Sequence, residues 1–323
     1  MTAIYGDLPD SVNDDDPPPF DRLQRASGWN GRRRDVKELM EFAASVGVSA
    51  FIIDHPGADG EYQSLLKSRG VRWLHFIGQP AGPLLADLIF CANAAADPTA
   101  FRRLERGPET KLLVGLEHAL LRPQFRGLEK RITKERVDRV FVSFGGGSDR
   151  GAFRKCLPVL LSQADDTCRF TLAVGSGNPE LNWVKDFAAG RRDRIDLRVD
   201  EMRIAECMLV SDLAVTASGT TTLEAAACGL PMILLAIADN QVEPARAWAR
   251  RGAALYLGEI DALVPRMLAN AFREMQAPAL RARQTRALYE TGVDGYGVTR
   301  VADAVERCLL RPEGVGETKE QPS

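Results

Sequence analysis

The sequence predicts an α/β protein with two Rossmann-type, doubly wound parallel-sheet domains, of which the N-terminal one is incomplete. Short, continuously apolar segments alternate with helical ones, which is typical of parallel strands covered on both faces. Gly/Ser/Thr-rich loops follow two of the apolar segments and open helices. The chain has 323 residues, enough for two domains of ordinary size.

The N-terminal half carries the first of the two alternating series. Its apolar segments predict strands at residues 50–53, 71–77, 87–91 and 111–115. One helix is predicted at 61–68, and together these elements predict a truncated Rossmann-like domain over 31–120.

Two stretches of the chain do not follow this alternation. Residues 1–30 are expected to be irregular, because the run DDDPPP at 14–19 suits neither a helix nor a central strand. Residues 121–136 are mostly polar and contain Pro123, so they predict an interdomain linker.

The second series predicts a C-terminal domain over 137–310. Its expected strands lie at 139–144, 169–174, 195–199, 213–217 and 232–236. Helices are predicted between them, from 149–163 to 242–251, and two or three closing helices over 261–309. The polar tail, 311–323, is expected to be disordered.

Bulk composition excludes several function classes. The net charge of -2 does not indicate a basic surface for binding nucleic acid. The six cysteines form no CxxC pair and the three histidines lie far from them in sequence, so no zinc site is predicted. No other cofactor is predicted either. Cysteines that stay reduced are typical of a cytoplasmic protein. The longest apolar run, 225–238, is shorter than the ~20 residues of a membrane span.

The first glycine-rich loop follows the strand predicted at 139–144. The backbone N–H groups of Gly145 and Gly146 can approach a phosphate at the start of the next helix. Asp149 either contributes to that binding site or serves as the N-cap of the helix.

The second loop offers more hydrogen-bond donors. Ser218, Gly219, Thr220 and Thr221 can bind a diphosphate, and Glu224 can accept the hydroxyls of a ribose. The alternative is a capping box, with Thr221 as N-cap and Glu224 at its third position. Because both loops follow strands that are expected to be parallel, they predict a ligand cleft at one sheet edge.

Four further residues are candidates at the ends of strands. Asn240 and Gln241 can bind sugar hydroxyls or an acetamido group, or else cap a helix. The backbone around Met202 can read a uracil edge, or form a plain loop. His55 follows a strand of the N-terminal sheet and is either a general base or a loop histidine without catalytic duty.

Over residues 48–257 the chain resembles the UDP-sugar hydrolases of pseudaminic acid biosynthesis (the PseG/SpsG group). These are relatives of the lipid-II-forming N-acetylglucosaminyltransferase and have the GT-B fold. Besides the residues already named, the matching segments are 51–54, 86–89, 112–115, 120–125, 143–146, 212–214 and 238–241.

The resemblance implies a UDP-sugar substrate. It implies that the Met202 loop holds uracil, that Glu224 binds the ribose and residues 218–221 the diphosphate, and that Asn240 stands near the sugar. In this family, water displaces UDP from a 2,4-diacetamido-2,4,6-trideoxyhexose. A histidine in a G-x-G-H-x-x-R loop activates that water.

The chain departs from the family pattern in its N-terminal half. No G-x-G-H-x-x-R sequence occurs, and we expect the first strand and its loop to be missing. Pro56 stands where the family has a tyrosine, and Ile77-Gly78-Gln79 replaces paired acids. Three hypotheses follow: a hydrolase whose true start lies upstream, a glycosyltransferase with a different acceptor, or a non-catalytic UDP-sugar-binding protein.

Overall fold

The structure, a computed structural model, describes residues 2–3, 32–48, 50–55, 57–104 and 106–310. They form two compact units. The first contains the described residues up to Ala92, Ala96–Gly115 and residues from Thr299 onward; the second contains Asn93–Ala95 and Leu116–Val298. The positions predicted to be an irregular start (apart from Thr2 and Ala3), Pro56 and the predicted tail lie outside the described residues.

The first unit is built on a five-stranded sheet of order β1-β2-β3-β4-β5. Strands β2 to β5 are parallel, and the two-residue β1 pairs antiparallel with β2. The strands are β1 (Thr2–Ala3), β2 (Phe51–Ile53), β3 (Trp73–Phe76), β4 (Leu88–Cys91) and β5 (Lys111–Val114).

Successive residues of these strands face opposite sides of the sheet, as a period of two requires. Trp73 and Ile89 pack with three helices, α1 (Arg32–Val46), α2 (Gly60–Ser68) and α3 (Pro98–Arg103). Leu74 and Leu88 face the other side. On that side the sheet is covered by helix α11 (Gly297–Val305) and by the π-helical turn that follows it, Glu306–Leu310. Their contacts are made by Val301, Ala304 and Leu309.

The second unit is built on a six-stranded, fully parallel sheet of order β11-β10-β9-β6-β7-β8. Counted from β6, this is the strand order of a Rossmann domain. The strands are β6 (Arg139–Ser143), β7 (Arg169–Val174), β8 (Ile195–Val199), β9 (Leu213–Ala217), β10 (Met232–Ala236) and β11 (Ala254–Glu259).

Strand β11 is the one strand of this sheet that the sequence pattern did not predict. Most of its side chains are only partly buried because it lies at the sheet edge, so its apolar signal is weak. The helices of the unit are α4 (Ala152–Gln163), α5 (Leu181–Ala189), α6 (Ile204–Val210), α7 (Thr221–Ala227), α8 (Val242–Arg250), α9 (Pro265–Glu274) and α10 (Pro278–Tyr289).

The segment that enters the second unit is firmly packed. It contains two 3₁₀ turns, Leu116–His118 and Pro123–Phe125, and the Phe125 side chain is 1% exposed. Gly295, with φ of +81°, lies directly against the Phe125 carbonyl and would hold any added Cβ 2.8 Å from the Arg126 nitrogen. The part of the predicted linker around Phe125 therefore packs as an ordered segment of the second unit.

Replacing Gly295 with alanine is expected to lower the free energy of unfolding by about 2–4 kcal/mol, through left-handed strain and overlap with backbone. Gly252→Ala is the control, since its φ is also positive (+67°) but open space surrounds it. That variant is expected to cost only about 1 kcal/mol. Urea denaturation compares them; equal losses would contradict the close packing.

His75 makes the first unit sensitive to acid. It lies in β3, 4% exposed, and its Nδ1 has no hydrogen-bond partner among the described residues. Burial lowers the pKa of His75 to about 4, a shift that the carboxylate of Asp54 partly offsets. The folded unit therefore takes up a proton less readily than the unfolded chain does.

The free energy of unfolding is expected to fall as the pH drops from about 6.5 to 4, because His75 binds a proton in the unfolded chain and stays neutral in the folded one. The loss due to His75 is roughly 3 kcal/mol by pH 4. Urea denaturation of the parent and of His75→Leu, which cannot titrate, measures it. The same pH dependence in both proteins would show that other groups are responsible.

Candidate functional site

Five loops meet at one edge of the second sheet, because all its strands are parallel. From β6 the chain continues to β7 and β8 on one side, then returns to β9 and β10 on the other. A crevice opens where the direction reverses, outside the carboxyl ends of β6 and β9, and this is where ligands bind in such sheets. The loops after β6 and β9 are the two Gly/Ser/Thr-rich loops.

The loop after β6 is shaped by a buried carboxylate. Asp149 is fully buried, and it accepts hydrogen bonds from the N–H groups of Gly151 (3.1 Å) and Phe153 (2.9 Å). It therefore caps the first turn of α4 from outside the helix: the N-cap residue is Gly151, and α4 begins at Ala152, three residues later than predicted. Gly145 and Gly146 are exposed, so the cap holds their backbone at the mouth of the crevice.

The loop after β7 was not singled out from the sequence, although it reads Gly175-Ser176-Gly177-Asn178. Gly175 lies so close to Gly146 that an added Cβ would overlap its carbonyl. Asn178 is 4% exposed; its Oδ1 accepts from the N–H of Glu180 at 2.7 Å, and its Nδ2 has no partner among the described residues. A third glycine-serine turn after a strand was the signal that could have identified it.

The loop after β8 carries Met202, whose side chain is 71% exposed. Asp200, in a left-handed conformation (φ of 50°), accepts from the N–H of Ser176 at 2.8 Å, and this hydrogen bond lowers the pKa of Asp200. The carbonyl of Met202 accepts from Arg122 Nη1 at 3.2 Å and from Gln124 Nε2 at 2.7 Å. The turn at Met202 is therefore held by side chains from outside the loop.

The loop after β9 contains an unpaired donor. Ser218 is 3% exposed, its N–H donates to the Leu235 carbonyl at 3.0 Å, and its hydroxyl has no partner among the described residues. Thr220 is the N-cap residue of α7, and its side chain caps nothing, while Gly219 is half-buried and Thr221 opens the helix. The Ser218 hydroxyl is therefore a buried donor that no described residue uses.

Glu224 does not complete a capping box, so that alternative is wrong. Helix α7 begins at Thr221, and the Oε1 atom of Glu224 lies 2.9 Å from Nη2 of Arg122. The Glu224 side chain is 17% exposed. Its carboxylate therefore faces an arginine at the border of the crevice and not the backbone of its own helix.

The loop after β10 is tied to the loop after β9. Gln241 accepts from the Ile237 N–H at 3.0 Å through Oε1, and its Nε2 lies 3.7 Å from where a Cβ on Gly219 would stand. Asn240 is exposed, in a 3₁₀ turn (Asp239–Gln241) that precedes α8. Gln241 thus orders the loop that presents Asn240.

His55 belongs to the first unit. It follows β2, is half-buried, and its Nδ1 accepts from the N–H of Gly57 at 3.0 Å. This hydrogen bond ties the imidazole to its own loop, in the first unit.

Within the described part of the chain, no group of three or more His, Cys, Asp or Glu side chains could hold a metal ion. No helix among the same residues is long and apolar enough to cross a bilayer.

The hydroxyl of Ser218 can be tested in the free protein. Ser218→Ala is expected to change the free energy of unfolding by less than about 0.5 kcal/mol, since no hydrogen bond is lost. Thr216→Val is the matched control: Thr216 is buried and donates to the Ser143 carbonyl at 2.6 Å, so its loss should cost about 1–2 kcal/mol. Equal costs in urea denaturation would show that Ser218 is already paired.

The region of this chain that contains the site is similar in sequence to known proteins. Residues 132–240 match the family described as lipid-A-disaccharide synthetase, a span that includes β6 to β10. The chain is 27% identical to the spore coat polysaccharide biosynthesis protein SpsG of Bacillus subtilis over 199 residues, 59% of this chain and 57% of that protein. It spans 43% and 57% of the length of the first two curated relatives, about half.

Solved structures of glycosyltransferases resemble the whole chain. MurG of Acinetobacter baumannii has a TM-score of 0.59 at 14% identity, covering 87% of this chain and 81% of that one. The spinosyn rhamnosyltransferase SpnG, solved with thymidine diphosphate, has a TM-score of 0.54 at 12% identity, covering 87% and 79%. These likenesses confirm the predicted fold class: the chain has two parallel-sheet α/β domains, as in the GT-B fold.

Proposed function

We propose that this chain binds a UDP-sugar at the carboxyl edge of its second sheet and transfers the sugar to an acceptor. The observation that carries the proposal is the crevice between the loops after β6 and β9, where exposed glycine backbone and the unpaired hydroxyl of Ser218 converge. The match to lipid-A-disaccharide synthetase over residues 132–240 supports it, as does the thymidine diphosphate of SpnG.

The diphosphate is the group that these loops suit best. Backbone N–H groups of Gly145, Gly146 and Gly219 can donate to its oxygens, together with the hydroxyls of Ser218 and its neighbours Thr220 and Thr221. When the bond from the sugar to the diphosphate breaks, the bonding electrons move to a phosphate oxygen. Donors already aimed there stabilise that charge without reorganisation.

The remaining residues suit the rest of a UDP-sugar. Glu224 can accept hydrogen bonds from the ribose hydroxyls, and the Met202 turn can meet the base. Asn240, exposed after β10, can bind the sugar, with Gln241 holding its loop. Asp149 contributes indirectly: its carboxylate caps the first turn of α4 and so orders the first glycine loop.

Water is the alternative acceptor, which would make the chain a UDP-sugar hydrolase acting on a 2,4-diacetamido-2,4,6-trideoxyhexose. The resemblance of segments 51–54 and 120–125 to that family favours it. Against it, Pro56 and Ile77-Gly78-Gln79 stand within the sequence where that family has a tyrosine and paired acids. Retained nucleotide-binding loops beside a diverged N-terminal half are what a transferase with a different acceptor would show, so transfer ranks first.

Calorimetric titration is expected to show UDP binding with a dissociation constant of roughly 1–100 μM. ADP should bind at least about 10-fold more weakly if the Met202 turn reads the base. Glu224→Ala is expected to weaken UDP binding about 10- to 100-fold, because a charged partner of the ribose is lost.

Glu274→Ala, an exposed glutamate at the end of α9, is the matched control and should bind UDP as the parent does. A folded parent protein that binds no UDP would refute the proposal. Release of UDP from UDP-N-acetylglucosamine in buffer alone, abolished by Glu224→Ala, would instead identify water as the acceptor.

A further inference from the structure

Arg122 joins two parts of the site that the sheet keeps apart. Its Nη2 lies 2.9 Å from Oε1 of Glu224, at the start of α7, and its Nη1 lies 3.2 Å from the carbonyl of Met202, after β8. Strands β8 and β9 are not neighbours, since β7 and β6 lie between them. One guanidinium therefore sets the spacing between the carboxylate and the turn.

Gln124 reinforces one end of this link. Its Nε2 donates to the same Met202 carbonyl at 2.7 Å, and its Oε1 accepts from the N–H of Ala205 at 2.9 Å. A carbonyl oxygen has two lone pairs, so both are engaged and the carbonyl cannot accept from a base. The N–H of Met202, which bonds no described residue, is left to face a base.

The segment that carries Arg122 is rigid. Leu121 and Phe125 are buried, and the guanidinium carbon lies 6.0 Å from the centre of the Phe125 ring. Gly295 packs against the Phe125 carbonyl from the other side. Exposed ion pairs usually contribute little because both side chains must be ordered, but here the backbone and two acceptors already order the arginine.

The charge of Arg122 also matters at this position. A carboxylate near a diphosphate is repelled by it, and the guanidinium on Oε1 compensates part of that repulsion. Since Arg122 occupies Oε1, the Oε2 atom of Glu224 can accept from sugar hydroxyls.

We propose that Arg122 is a positioning residue which fixes Glu224 for recognition of the ribose 2′- and 3′-hydroxyls, and which holds the Met202 turn at the matching distance. This rests on the proposed function. Arg122 itself does not touch the nucleotide; it determines how strongly the site prefers a ribonucleotide to its 2′-deoxy form.

Calorimetry with UDP and 2′-deoxy-UDP tests the proposal on the full chain. The parent protein is expected to prefer UDP by about 10-fold, and Arg122→Gln to weaken UDP binding by about 10-fold with a much smaller effect on 2′-deoxy-UDP. Arg122→Lys keeps the charge but lacks the fork that reaches two acceptors, so its preference should also fall. Arg126→Gln, an exposed neighbour on the same segment, is the control and should retain the preference.

A double-mutant cycle with Glu224→Gln separates positioning from loss of stability. If Arg122 acts through Glu224, the two substitutions together should weaken UDP binding little more than either alone. An unchanged ratio of UDP to 2′-deoxy-UDP affinity in folded Arg122 variants, or additive effects in the cycle, would overturn the proposal while leaving UDP binding intact. A parent protein that binds no UDP would instead refute the proposed function.

Discussion

The second unit depends on the position of β6 between β7 and β9. Phe141, in the middle of β6, pairs with Thr171 on one side and with Ala214 on the other, all in parallel register. Parallel strands need a crossover for each connection, so every loop that follows a strand ends at one edge. The change of direction at β6 then opens the crevice between the loops after β6 and β9.

Most charged and amide side chains around the crevice shape the loops and do not face a ligand. Asp149 caps α4, Asp200 links the loops after β7 and β8, and Gln241 holds the loop after β10. What the site offers to a ligand is mainly backbone N–H, the hydroxyl of Ser218 and the carboxylate of Glu224. Under the proposed function, these donors bind the diphosphate and the carboxylate of Glu224 accepts from the ribose hydroxyls.

Arg122 gives the segment before β6 a role in the site. A stretch expected to act as a linker instead packs on the second unit through Phe125 and Gly295, and from there it reaches the loops after β8 and β9. Under the proposed function, sugar transfer and hydrolysis would use the same nucleotide-binding loops, so this contact would serve either reaction. The acceptor, water or another hydroxyl, distinguishes the two.

The sequence by itself determined the fold class, most of the strands and the two glycine-rich loops, because apolar runs and glycine turns are local patterns. It also indicated Ser218 and Glu224 as neighbours of one helix start. The tertiary structure alone decided that Asp149 is a cap, that Glu224 pairs with Arg122 and that Gly175 meets Gly146. The last two contacts join residues that are distant in sequence, so they exist only once parallel strands bring their loops to a common edge; the first is local, but the sequence left it open beside a binding role.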